Sequence, residues 1–235
     1  MSRKARSKQP SPTRKMGQSG SSKPEAARPP IVSNGPKIFL YHQIWRALLR
    51  GVDSPDLKRP PLPVELVRLI SRLAGLCTPD STRVFICTKQ VNVRSNGPFE
   101  AKLWFCTSPF DDYALKHVAA AQLLTTSNDQ GWASDRGSWT WFEWGVFANA
   151  EEATNLAKAK CESQGWTTSH KNRGAVQEPQ ELLGPVVTVD DGMWEGFAEG
   201  SVLAVRVCAR FPLWANHAHR AEIKFWRWFE PVIDL

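Results

Sequence analysis

An antiparallel β-sandwich preceded by two helices is the architecture this sequence predicts. Trp139, Trp141 and Trp144 stand within six residues of one another, interleaved with Thr140 and Phe142. A strand so composed carries large side chains on both faces, and both faces have to be covered. From Arg83 onward, apolar segments of strand length recur between polar or Gly/Pro-bearing connections. Before that point the apolar residues recur at helical spacing. The expected class is mainly β, of jelly-roll or galactose-binding-like type, with two N-terminal helices and one inserted helix.

The chain divides into three parts. Residues 1–36 hold Ser, Pro, Lys, Arg and Gly with almost nothing to bury, so a disordered basic tail is expected there. Residues 37–76 form a helical segment. Ile38, Tyr41, Trp45 and Leu48 make one stripe, Asn34 and Pro36 fit a helix start, and Gly51 fits its end. A second helix, over 62–75, starts at Pro63, has Glu65 in its first turn and closes at Gly75. Its apolar face is Leu66, Leu69, Ile70 and Leu73, expected to pack on the sandwich.

Residues 83–230 form the sandwich. Arg83–Val93 and Phe99–Thr107 flank Asn96-Gly97-Pro98 and read as a hairpin. Val118–Thr126 and Ser138–Phe147 follow, the second entered through a polar turn over Thr125–Gln130. Asn149 caps a helix over 149–164, with Glu152 at the capping-box position and Gly165 as its stop. Val186–Val189, Val202–Phe211 and Ala221–Phe229 complete the strands.

Charge is unevenly placed. Residues 1–37 carry nine Lys or Arg against Glu25 alone, a balance of +8, whereas the remainder has 21 basic and 22 acidic residues. The basic character belongs to the tail, which suits a polyanion or an import receptor, and the neutral body argues against a nucleic-acid-binding face. Cys77, Cys87, Cys106, Cys161 and Cys208 are odd in number and never spaced as CxxC. Buried structural thiols in a cytoplasmic or nuclear setting are expected. No apolar run is long enough to span a membrane, and no apolar h-region follows the N-terminal basic residues.

The segments Leu124–Trp132, Ser138–Glu143 and Val205–Asn216 resemble a domain of fungal proteins of uncharacterised activity. That group shares an Asp-Gln-Gly-Trp turn, a Trp-x-Trp-Phe-Glu strand and an Ala-Arg-Phe-Pro-x-Trp-x-Asn strand end. An upstream Leu-Pro-x-Glu-Leu-Val helix recurs there and is matched by Leu62–Val67. The resemblance, over residues 62–229, implies a β-sandwich recognition domain and carries no activity to any residue. Gly is usual in that group where this chain has Leu213, and the turn before Trp139 is shorter here. The start of the second helix also resembles the first helix of an F-box through Leu62, Pro63, Glu65, Leu66 and Ile70. The later parts of that motif do not follow.

The candidate ligand-binding residues are Asp129, Gln130, Trp132, Trp214 and Asn216, an indole-bearing polar rim of the kind that holds a protein segment or a sugar face. Turn chemistry is the plain alternative, with Asp129 bonding its own backbone and Gly131 at positive φ. Arg206 and Arg210 share a strand face, where their guanidinium groups suit an anionic ligand; an inter-strand ion pair with Glu143 or another carboxylate is the expectation. His217 and His219 lie two apart without a third metal ligand near in sequence. No catalytic motif is present. The expected function is a non-enzymatic recognition module without cofactor or metal. The alternatives are an F-box-like adaptor and a hydrolase using Asp129 or His170.

Overall fold

The computed structural model describes residues 31–32, 37–54, 57–132, 137–159 and 164–230. The tail expected over 1–36 lies outside the described residues except for Ile31–Val32, which form a short strand, β1. Helix α1 spans Lys37–Arg50 and ends at Gly51, whose φ is +74°. Two three-residue strands, β2 (Val52–Ser54) and β3 (Leu57–Arg59), pair in a small ribbon before helix α2 (Val64–Leu73).

The strands that follow are β4 (Leu76–Cys87), β5 (Val91–Arg94), β6 (Glu100–Cys106), β7 (Val118–Asn128) and β8 (Thr140–Phe147). After them come β9 (Thr167–Lys171), β10 (Gln180–Thr188), β11 (Val202–Ala209) and β12 (Ala215–Trp228). One sheet runs β1-β4-β12-β7-β10 with β5 also on β12; the other runs β6-β11-β8-β9. The pairs β4·β12, β6·β11, β7·β10 and β8·β9 are all antiparallel, so first meets last and the pairing nests inward. That is a jelly roll, two interlocked Greek keys closing over one core.

Strand parity builds the core between the sheets. Phe142 and Trp144 of β8, Leu203, Val205 and Val207 of β11, Leu123 of β7 and Ile223 of β12 meet there, all buried. The opposite face of β8 and β11 is closed as well, which is why both read as large or apolar throughout. Helix α4 (Ala150–Lys158) lays Ala153 and Ala157 over Phe147, Val202 and Ala204, with Trp166 beside them. The expected cap forms, with its return bond one residue further out: Asn149 Oδ1 accepts from the Glu152 amide at 2.9 Å, and Glu152 Oε2 accepts from the amide of Ala148, ahead of the cap, at 2.8 Å.

Several expectations need revision. Residues 83–93 are not one strand: β4 starts at Leu76, directly after α2, and β5 resumes the same line along β12 after a break. The hairpin expected around Asn96-Gly97 is a crossing between sheets, since β5 pairs with β12 and β6 with β11. A turn signal fixes a reversal of direction but not the partner, and β12 and β11 supply longer ladders. Thr125–Ser127 are not in a turn; they are the end of β7, their alternation burying Thr125 and Ser127. Of the three indoles read as core, Trp144 is wholly buried between the sheets and Trp141 is buried on the outer face. Trp139 is half-buried ahead of β8, edge-on to Phe211 at 4.8 Å. A short helix, α3 (Asp112–His117), went unforeseen; Asp111 caps it by accepting from the Ala114 amide at 2.9 Å.

Helix α2 carries the largest reversal. It buries Val67 and Ser71, with Val67 packed into a cluster of Tyr41, Trp45, Leu76 and Phe229. The stripe expected to face the sandwich, Leu66, Leu69, Ile70 and Leu73, is exposed. Among the described residues no helix is long and apolar enough to cross a membrane.

Candidate functional site: a hydrogen-bonded loop rim

Because the strands alternate direction, the connections β5–β6, β7–β8, β9–β10 and β11–β12 all emerge at one end of the sandwich. Polar side chains tie them to one another. Asp129 Oδ1 accepts from the Gly131 amide at 2.8 Å, as an Asx turn requires, with Gly131 at φ +82°. The same carboxylate accepts from the amides of Ala175 at 2.7 Å and Val176 at 3.1 Å, joining the β7–β8 and β9–β10 connections. Gln130 Oε1 accepts from the Ala215 amide at 3.2 Å. Backbone bonds Ser95 N–H to Trp214 O and Leu213 N–H to Ser95 O join the remaining two connections.

Beneath this rim lies a buried amide cluster. Asn216 Nδ2 donates to the carbonyls of Trp141 at 3.0 Å and Cys208 at 3.1 Å. Asn172 Nδ2 donates to Asn216 Oδ1 and Thr140 Oγ1, both at 2.9 Å, while its Oδ1 accepts from Ser127 Oγ at 2.7 Å. Both side chains are buried, and their bonds run between the two sheets. Such a cluster fixes the register of the sandwich at this end.

The structure therefore brings the five candidate residues together but gives them different work. Asp129, Trp214 and Asn216 are buried, and the polar atoms of Asp129 and Asn216 are committed to backbone and amide partners. Gln130 is half-buried. Trp132 alone is open, at 50% exposure, its ring tilted over Trp214 with centroids 6.4 Å apart. Two residues the sequence reading did not single out as ligand-binding share this end: Phe211 and Leu213, exposed at 42% and 53%. Both hold positive φ, +67° and +75°. Side chains other than Gly resist that conformation at a cost of about 1–2 kcal/mol each, and such strain gathers at functional surfaces. Replacing Leu213 by Gly is expected to change stability by less than about 1 kcal/mol, since relief of the strain offsets the loss of a half-buried side chain. A urea titration checks this; a loss of more than 1 kcal/mol would show that the Leu213 side chain supports the fold.

The remaining candidates are structural in their contacts. Glu143 and Arg206 form the expected inter-strand pair, Oε2 to Nε at 2.7 Å and to Nη2 at 2.6 Å, wholly out of solvent. The Arg206 guanidinium lies 4.5 Å from the Trp166 ring centroid and 5.5 Å from that of Phe99. Glu143 Oε1 accepts from Trp141 Nε1 at 2.8 Å. Arg210 instead sits over the Trp141 ring at 5.7 Å.

His170 is held by Thr125 Oγ1 at 2.8 Å and Ser169 Oγ at 2.9 Å, and burial pushes its pKa down to about 4. His217 and His219 bond to Asn92 and Asn128 respectively, and among the described residues no group of three or more potential ligands could hold a metal ion. Burial pushes the Cys77 thiol up to about 11; burial first, and then the Glu143 carboxylate, raises that of Cys208 well above its ordinary value. Neither is a ready nucleophile. Cys161 lies outside the described residues.

The class the fold defines is a single jelly-roll domain with a hydrogen-bonded, apolar-tipped rim. No family model matches the chain, and no curated protein does. Among solved structures, the decameric BFDV capsid protein is similar over 62% of this chain and 99% of that one, at 8% identity and a TM-score of 0.27. The structure of infectious bursal disease virus Gx strain is similar over 62% of this chain and 36% of that one, at 6% identity and a TM-score of 0.31. At those scores neither carries an argument, and the jelly-roll assignment stands on strand order.

Proposed function

We propose that this chain is a non-enzymatic assembly subunit of the capsid type. In this reading the jelly-roll body binds protein surfaces at its loop rim, further copies of itself above all, and the basic segment 1–37 binds a polyanion such as nucleic acid. The observation that carries it is the rim: Trp132, Phe211 and Leu213 are held exposed on a tied, partly strained backbone. Exposed apolar side chains at a rigid edge favour a protein partner. A glycan site at the same place has less support, because Asp129 and Asn216, its expected polar fingers, are already bonded.

The electrostatics divide the labour in the same way. The +8 balance of residues 1–37 against a nearly neutral remainder suits an arm that neutralises phosphates while bodies pack without mutual repulsion. Jelly rolls serve both lectins and viral shells; the basic arm favours the shell.

The full chain, purified without nuclease, is expected to sediment as multimers carrying nucleic acid. Trp132→Ala combined with Phe211→Ser should break the multimers down at least tenfold in assembly affinity. Removing residues 1–30, which spares β1, should abolish the bound nucleic acid and leave the fold intact. A monomer at every concentration, with or without added nucleic acid, sinks the proposal; so does a glycan array on which Trp132→Ala abolishes binding.

A further inference from the structure

Helix α2 has two apolar faces and uses only one of them. Val67 and Ser71 point into the cluster beneath it. Leu66, Leu69, Ile70 and Leu73 form a second stripe at helical spacing, and Leu73 is 79% exposed. These four side chains offer on the order of 400 Å² of exposed surface, about half of the ~800 Å² each partner gives to a stable interface. This patch adjoins Leu76 and Phe229, at the end of the sandwich opposite the loop rim.

The charges beside the stripe indicate what covers it. Arg68 is paired with Glu230, and Arg72 donates one guanidinium bond to the carbonyl of Lys116. Glu65 makes no ion pair among the described residues. Glu65 and Arg72 are seven positions apart, two turns, so they lie on the same flank at opposite ends of the helix. A two-fold axis through the middle of the stripe lays one α2 antiparallel on another. Each Glu65 then faces the other copy's Arg72, while the four apolar residues interdigitate. The surface is complementary to itself.

We infer that α2 pairs with α2 of a second copy of this chain about a two-fold axis, through Leu66, Leu69, Ile70 and Leu73 with Glu65–Arg72 contacts at both ends. The contact adds to the rim contact of the assembly reading and uses none of its residues, so the two can fail separately.

The test is sedimentation of the full chain over a concentration series in the Trp132→Ala, Phe211→Ser background, where the rim contact is removed. A dimer is expected to remain. Leu69→Glu, at an exposed position that should not disturb folding, is expected to weaken it at least 100-fold. Glu65→Arg alone and Arg72→Glu alone should each weaken it about tenfold. The two swaps together should restore it, because both inter-helix pairs are rebuilt with their signs reversed. Near-ultraviolet circular dichroism confirms that each variant is folded. A monomer in the rim background overturns the α2 pairing. It is also overturned if the double swap is as weak as the sum of the single swaps, or if an F-box-type adaptor binds the stripe with equal affinity in the wild type and all three charge variants. A wild-type chain no larger than a dimer counts instead against the rim.

Discussion

Replacing Glu143 by alanine is expected to cost about 3–5 kcal/mol of unfolding free energy. Arg206 has no solvent exposure, and its guanidinium lies between Phe99 and Trp166. With the carboxylate gone, that charge stays in a low-dielectric wall without its counter-ion. Trp141 Nε1, which donates to Glu143, loses its acceptor at the same time. The pair itself need not be stabilising relative to apolar residues, since desolvating two charges offsets most of their attraction. Glu143→Leu with Arg206→Met should therefore recover most of the loss, and a double-mutant cycle in urea reads the difference. A single-substitution loss below 1 kcal/mol would mean that water reaches Arg206 and that α4 with Trp166 does not seal this face.

Acid should unfold the protein partly through His170. The ordinary histidine pKa is near 6.5, and burial lowers it to about 4 in the folded chain. Below pH 6.5 the unfolded chain binds a proton that the folded chain refuses. The stability tied to the neutral ring is then fully present above pH 6.5. It is lost as the pH falls from 6.5 to 4, amounting to about 3 kcal/mol at the lower limit. Other groups titrate in that range, so the measurement is a difference: urea midpoints at pH 7.5, 5.5 and 4.5 for the wild type and for His170→Gln. The variant starts less stable, because it disturbs Thr125 and Ser169, but it should lose less on acidification. Parallel pH profiles would falsify this role for His170.

Local chemistry was legible in the sequence wherever a few neighbouring residues decide it. The Asn149–Glu152 cap, the left-handed Gly51 and Gly75, and the Asx turn at Asp129 with Gly131 each depend on contacts within four residues. The Glu143–Arg206 pair was legible for a different reason. Opposite charges inside two apolar strands have few other partners that avoid an isolated buried charge.

The candidate site was legible as a place and not as a set of roles. The polar turn and the Trp214–Asn216 corner do meet, yet the polar groups there hold loops together, and Phe211 and Leu213 supply the exposed surface. Strand-end residues such as Thr125 and Ser127 read as turn-like because hydroxyl-bearing residues suit both settings. What placed them in β7 was pairing with β10 and β12, far away in the chain.

By itself the sequence determined the class of the fold: helices first, then a sandwich of strands large on both faces, with a neutral body and a basic N-terminal segment. Periodicity and composition are local sums, and they survive any folding of the chain in space. Only the tertiary structure decided the nesting of β4 with β12 and β6 with β11, the outward turn of the α2 leucines, and the burial of Asn216. Helical spacing gives a face but no direction for it; α2 turns Val67 inward because Tyr41, Trp45, Leu76 and Phe229 form the cluster it meets.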